Sequence, residues 1–186
     1  MNIRLHAIEP ASRANGPGLR AVVWLQGCTL GCTGCFNPTT HDAGAGFNAD
    51  TADIARQLLT NSNKIEGVSI SGGEPFQQPD ALLDLLQRLS ASPLSKLVFS
   101  GYTLAEIRRQ PLGNTILKHL DVLIAGRYVH PRHLAVGLLG SSNQQIHLLT
   151  KRYTPADLQA VPTGEVILHA DGSITLSGIR PLEQQL

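Results

Sequence analysis

Apolar runs alternate with amphipathic ones along most of the chain. Residues 20–26 (RAVVWLQ) form a nearly unbroken apolar run of strand length, the pattern of a buried strand. Residues 50–59 carry Ile54, Leu58 and Leu59 on one helical face. Residues 80–89 follow Pro79 and set Leu82, Leu83, Leu85, Leu86 and Leu89 on one stripe, which predicts a core-facing helix. Short apolar runs at 67–71, 96–100 and 122–125 read as strands, and 145–149 as another. Thr103 and Glu106 form a Thr-x-x-Glu capping box that opens a further helix. Thr154-Pro155 has the chemistry of an N-cap followed by proline at the first helical position.

Strands alternating with helices predict an α/β fold with a parallel sheet. Four or five strands are too few for a closed eight-stranded barrel, so a partial, open β/α barrel is expected. The end of the chain differs. Period-two strands at 165–169 and 173–177 flank Asp171-Gly172, a β-hairpin signal. Residues 1–150 are therefore read as the core domain and 151–186 as a C-terminal extension packed on it, one domain overall. Ligands of such sheets sit beyond the carboxyl ends of the strands. The loops after residues 26, 71 and 100 are all glycine-bearing and share that rim, which points to one site.

Composition narrows the function classes. Fifteen basic and fourteen acidic side chains in 186 residues leave a net charge of +1, without a dense basic stripe. With aromatic residues at only 4%, this excludes a nucleic-acid-coating or base-stacking protein. No run of 18 apolar residues spans a membrane, and residues 1–10 lack the apolar stretch of a signal peptide. A cytoplasmic protein with no nucleic-acid and no membrane partner is expected.

The three cysteines sharpen the picture, because Cys28, Cys32 and Cys35 all lie within eight residues. An odd, clustered set is a poor disulfide framework and points to metal or redox chemistry. Gly27, Gly31 and Gly34 let the backbone bend around a centre and leave amides near the sulfurs. A four-iron cubane ordinarily takes four cysteines. Three would leave one iron open to an external ligand. A zinc site with His41 as fourth ligand and a set of unmetallated buried thiols are the alternatives at this point.

The C-x3-C-x2-C loop resembles the signature of the radical S-adenosylmethionine enzymes. A second motif of that family, Ser71-Gly72-Gly73-Glu74-Pro75, follows a strand about 40 residues downstream. The resemblance implies that Cys28, Cys32 and Cys35 hold a [4Fe–4S] cluster whose fourth iron is chelated by S-adenosylmethionine. It also implies that the backbone of residues 71–74 contacts the cofactor's amino group, and that reductive cleavage of the sulfonium gives a 5′-deoxyadenosyl radical. The segments Asn15-Gly16-Pro17-Gly18-Leu19-Arg20, Gly34-Cys35-Phe36-Asn37-Pro38, Ser100-Gly101-Tyr102, 121–128 and 140–144 narrow the likeness. Together they are similar to the activating proteins of anaerobic ribonucleotide reductase, over roughly residues 13–150. By that resemblance the partner is a glycyl radical protein, and a flavodoxin- or ferredoxin-like protein donates the electron. Radical modification of another peptide or small molecule, and a non-catalytic iron–sulfur or zinc module, are the rival readings.

Other positions on the same rim are candidates for the cofactor pocket. Ser71, Gly72, Gly73, Glu74 and Ser100 lie at strand ends. Arg127 follows the strand at 122–125, and Asn143 sits among Ser141 and Ser142 before the next strand. Arg20 is a second candidate anion binder. The leucine-rich helix is assigned to the core.

Overall fold

The computed structural model describes residues 1–179. The chain opens with β1 (Asn2–Ser12), which turns back through 13–19 into β2 (Arg20–Leu25). The cysteine loop follows, then β3 (Phe47–Asp50) and α1 (Thr51–Thr60). Asp50 caps α1 by accepting the Ala52 N–H. Next come β4 (Gly67–Gly72), α2 (Pro79–Arg88), β5 (Ser95–Ser100), α3 (Leu104–Arg109) and α4 (Gly113–Leu117). The capping box forms as expected, with Thr103 and Glu106 exchanging bonds at the start of α3. The core is completed by β6 (Val122–Ala125), the small ladder β7 (His133–Val136) with β8 (Leu139–Ser141), and β9 (Gln145–Leu148). Beyond it lie α5 (Pro155–Gln159), capped by Thr154 with Pro155 in the first turn, and the hairpin β10 (Gly164–Leu168) with β11 (Ile174–Gly178). Of the extension, residues 180–186 lie outside the described residues.

The main sheet runs β3-β1-β2-β4-β5-β6-β9, and its two ends do not pair, so the barrel is open. Strands β2, β4, β5 and β6 are parallel. β1, β3 and β9 are antiparallel to their neighbours, so the sheet is mixed rather than parallel throughout. The sequence pattern shows neither β1 nor β3. β1 breaks its alternation at two register shifts against β2, and β3 is four residues whose reason for extension is the edge of β1.

Strand alternation sends side chains to two different layers. Ala21, Val23 and Leu25 of β2, Val68 and Ile70 of β4, and Val98 and Leu123 face the helices. There they meet Ile54 and Leu58 of α1 and the stripe Leu82, Leu85, Leu86 and Leu89. The opposite face carries Leu97, Val122 and Ile124, and the extension covers them with Tyr153, Leu158 and Val161.

Arg20 also points to this second layer. It is fully buried and reaches no ligand pocket, which corrects its reading as an anion binder. Its Nε donates to Ser69 Oγ at 2.9 Å, and Nη2 donates to the Val68 carbonyl at 3.0 Å. Nη1 is shared among Pro17 O, Ser95 Oγ and Tyr153 OH at 2.8–3.1 Å. A Cβ on Gly16 would stand 2.7 Å from Arg20 Cδ, so that position is small because it wraps this side chain, while the glycine at 18 is held against Glu66. Burial pushes the guanidinium below its ordinary pKa, and the Tyr153 hydroxyl offsets part of the shift.

Candidate cluster and cofactor site

On the face opposite the helices, the upper ends of β2, β4 and β5 present Trp24, Ser71 and Phe99. These residues floor a cavity of about 310 Å³ at the carboxyl ends of the parallel strands. All three cysteines line it, together with Ser71, Gly72, Gly73, Glu74 and Ser100. The structure therefore brings together eight of the residues picked out from sequence. Among the described residues, Arg127 and Asn143 are not part of that lining.

The cysteine loop is held at its base, independently of any metal. Gly27 and Cys28 donate their N–H groups to the Thr40 and His41 carbonyls at 2.8 and 3.0 Å. The buried Gln26 sends Nε2 to the Thr39 and Asp42 carbonyls at 3.0 and 2.8 Å. Gly27, Gly31 and Gly34 all take positive φ, 104°, 63° and 71°, as the tight path requires. An amide reaches one of the sulfurs: Asn37 N–H donates to Cys35 Sγ at 3.4 Å. Burial raises the Cys28 and Cys35 thiols above their ordinary pKa, and the neighbouring cysteines add to the rise. A metal centre must therefore displace their protons as it assembles.

The Gly-Gly turn is pressed against this loop. Gly73 N–H donates to Leu25 O at 2.8 Å and Glu74 N–H to Gly27 O at 2.9 Å. A Cβ on Gly72 would meet Leu25 O at 2.4 Å, and one on Gly73 would meet Gly27 O at 2.2 Å. The glycines are thus required by the chain's own backbone and not only by a ligand's approach. With both N–H groups turned inward, the turn offers a ligand its carbonyl oxygens. Those suit a donor such as an amino group.

Glu74 is buried and locks the next loop. Oε1 accepts from Phe76 N–H at 3.0 Å and Ser100 Oγ–H at 2.9 Å, while Oε2 accepts from Gly101 N–H at 2.7 Å. Burial pushes its pKa up to about 7, against the pull of these three donors. Ser100, by accepting from Tyr102 N–H as well, has its hydroxyl engaged on both sides. A Gln at position 74 would turn an amide against one of the donors. Glu74→Gln is expected to cost about 1–3 kcal/mol in denaturant unfolding of the apo protein. Because the folded carboxyl binds its proton up to about pH 7 and an unfolded one only to about 4.5, unfolding releases a proton between them. Glu74's contribution to stability is therefore full below pH 4.5 and is lost as pH rises toward 7. That slope should vanish from the variant. His147, which burial lowers, titrates in both proteins and cancels in the difference.

Arg127 pairs with Glu106 at 3.0 Å and lies 5.6 Å over the Tyr102 ring, half-exposed. Asn143 donates Nδ2 to the Arg127 carbonyl at 2.8 Å and leaves its buried Oδ1 without a partner. Sequence reasoning gave no role to Asn15, Trp24 or Gln144, which also line the cavity. Gln144 accepts the Gly140 and Ser141 N–H groups and donates to Gly126 O at 2.9 Å, tying the β7–β8 ladder to the rim. The extension contributes Leu176, Ser177, Gly178 and Ile179 to the same wall. No sequence signal located them, because that wall exists only once the hairpin docks.

Three thiols and a carbonyl-bearing turn line one cavity at the ends of a half-barrel's strands, the donor set of a metal-cofactor protein. The family described as "4Fe-4S single cluster domain" matches residues 14–147. The anaerobic ribonucleoside-triphosphate reductase-activating protein of Vibrio cholerae is 32% identical over 153 residues, 78% of this chain and 97% of that one. The Escherichia coli protein of the same name is 31% identical over 153 residues, 77% of this chain and 97% of its own. A pyruvate formate-lyase-activating enzyme of Clostridium pasteurianum is 32% identical over 65% of this chain and 50% of its own length. The chain belongs to the radical S-adenosylmethionine family of activating proteins that these relatives represent. It is an enzyme whose cofactors are a [4Fe–4S] cluster and S-adenosylmethionine, and not a zinc protein with His41. The donor chemistry fits these groups: three thiols line one cavity, an amide stands at the Cys35 sulfur, and an acceptor-rich turn lies beside them, while among the described residues no three side chains already stand as a metal-holding group.

Proposed function

We propose that the chain activates a glycyl radical protein, of the anaerobic ribonucleotide reductase kind, by abstracting hydrogen from a glycine of that partner. When bound, cluster and S-adenosylmethionine supply a 5′-deoxyadenosyl radical through one-electron reductive cleavage of the sulfonium. Cys28, Cys32 and Cys35 hold the cluster. The carbonyls of the Gly72-Gly73 turn would accept from the methionyl amino group, and Glu74 fixes the Ser100–Gly101 loop. The unpartnered Oδ1 of Asn143 supports a polar contact at the rim, whereas Arg127 is already paired with Glu106 and would have to exchange that partner for an anionic group there. By the likeness to the activating proteins, a separate flavodoxin- or ferredoxin-like protein donates the electron. No helix among the described residues is long and apolar enough to cross a membrane.

The observation that carries the reading is the cysteine loop and the Gly-Gly turn bonded to each other on one cavity. The test is anaerobic incubation of the reduced, cluster-loaded protein with S-adenosylmethionine and the anaerobic reductase of its own genome. A doublet electron paramagnetic resonance signal of a glycyl radical on the reductase is expected, with 5′-deoxyadenosine formed. Cleavage of S-adenosylmethionine without any protein radical would redirect the reading to another substrate.

A further inference from the structure

The terminal hairpin wears its pattern inside out. Val166, Leu168, Ile174 and Leu176 are 57%, 74%, 61% and 48% exposed. Val166 pairs with Leu176 and Leu168 with Ile174 across the ladder, so all four share one face. The polar positions face inward and anchor the hairpin to the core. Glu165 accepts the N–H groups of Arg13 and Ala14 at 2.8 and 3.2 Å and bonds the Ser12 hydroxyl. Ser177 Oγ accepts from Asn15 Nδ2 at 2.6 Å, and His169 lies 3.6 Å from Glu9. A hairpin built for solvent would turn its charged and hydroxyl side chains outward.

This apolar face runs into the cavity mouth, since Leu176 belongs to both. The hairpin also lies past residue 147, where the family match ends. About a fifth of the chain falls outside an alignment that uses 97% of the V. cholerae relative. The face thus lies outside the family match, beside the opening through which a substrate must enter.

We propose that the exposed face of β10–β11 is the docking ledge for the partner polypeptide that carries the target glycine. The inference rests on the activating role proposed above. A glycine backbone can reach the cavity only if the flanking chain lies across its lip. The lip on this side is the aliphatic face, so the flanking segment of the partner is expected to be apolar as well.

The test uses the double variant Leu168→Ser/Ile174→Ser, two exposed positions outside the cavity. In the cluster-loaded protein with dithionite and no partner, 5′-deoxyadenosine release should stay within about twofold of wild type. With the anaerobic reductase of the same genome, half-maximal glycyl radical formation should need at least about tenfold more reductase, a weakening that matches the loss of two apolar contacts. Hydrogen exchange of wild-type residues 164–178 should slow when the reductase is added. An unchanged reductase requirement, or unchanged exchange, overturns the ledge. A wild-type dimer that the variant converts to monomer overturns it in favour of a second copy of this chain. If wild type cleaves S-adenosylmethionine yet places no radical on the reductase, the activating role itself fails, an outcome distinct from all of these.

Discussion

Cys32→Ala is expected to remove the labile cluster and reduce S-adenosylmethionine cleavage to background, while the fold survives. Two thiolates cannot replace three around a cubane that is already one cysteine short. The loop does not depend on Cys32 for its path, because its base is bonded through Gly27, Cys28 and Gln26 to residues 39–42. The Cys32 side chain is only half-buried, so its loss leaves no core cavity. Far-UV circular dichroism should match wild type, and the apo unfolding free energy should change by no more than about 0.5 kcal/mol. Iron and sulfide analysis after anaerobic reconstitution, with 5′-deoxyadenosine assayed by chromatography, checks the rest. Cleavage at the wild-type rate would sink the assignment of Cys32 as a ligand.

Arg20→Leu should show the opposite profile, a large loss of stability with no direct effect on the site. Truncating the guanidinium leaves the Pro17, Val68 and Ser95 carbonyls without their shared donors. Relief from burying a charge offsets part of this, so a net cost of about 2–4 kcal/mol is expected in denaturant unfolding. Arg20→Lys should recover little of it, because one ammonium cannot fan out to Ser69, Val68 and Ser95 at once. Under conditions where either variant is folded, its affinity for S-adenosylmethionine should equal that of wild type. A selective loss of affinity with normal stability would restore the anion-binding reading. Tyr153 joins Arg20 to Glu66, bonding Glu66 Oε1 at 2.8 Å, so the same substitution should loosen α5 and the start of the extension.

The elements legible in sequence were those whose signal is local. The leucine stripe of α2, the Thr103–Glu106 box, Pro155 after Thr154 and the Asp171-Gly172 turn each depend on a few neighbouring residues, and each stands where expected. β1 and β3 were not legible, because their extension is imposed by pairing with each other and with β2. The site divides the same way. Cys28, Cys32, Cys35 and the Gly-Gly-Glu turn are contiguous motifs and share the cavity, whereas Trp24, Gln144 and Ser177 come to it from three distant segments.

Arg20 marks the boundary most clearly. A lone arginine before a strand, among glycines, has the same sequence appearance whether it binds an anion or fills a core. Strand parity and the docking of Tyr153 decided for the core. The sequence by itself carried two contiguous motifs, three clustered thiols and a glycine turn, and their resemblance to the radical S-adenosylmethionine family implied the cluster and its cofactor. Tertiary structure alone decided that the glycines are demanded by Leu25 and Gly27, that Glu74 clamps the facing loop, and that the extension forms a wall of the cavity. Those are contacts between segments far apart along the chain, and no local pattern encodes which surfaces meet.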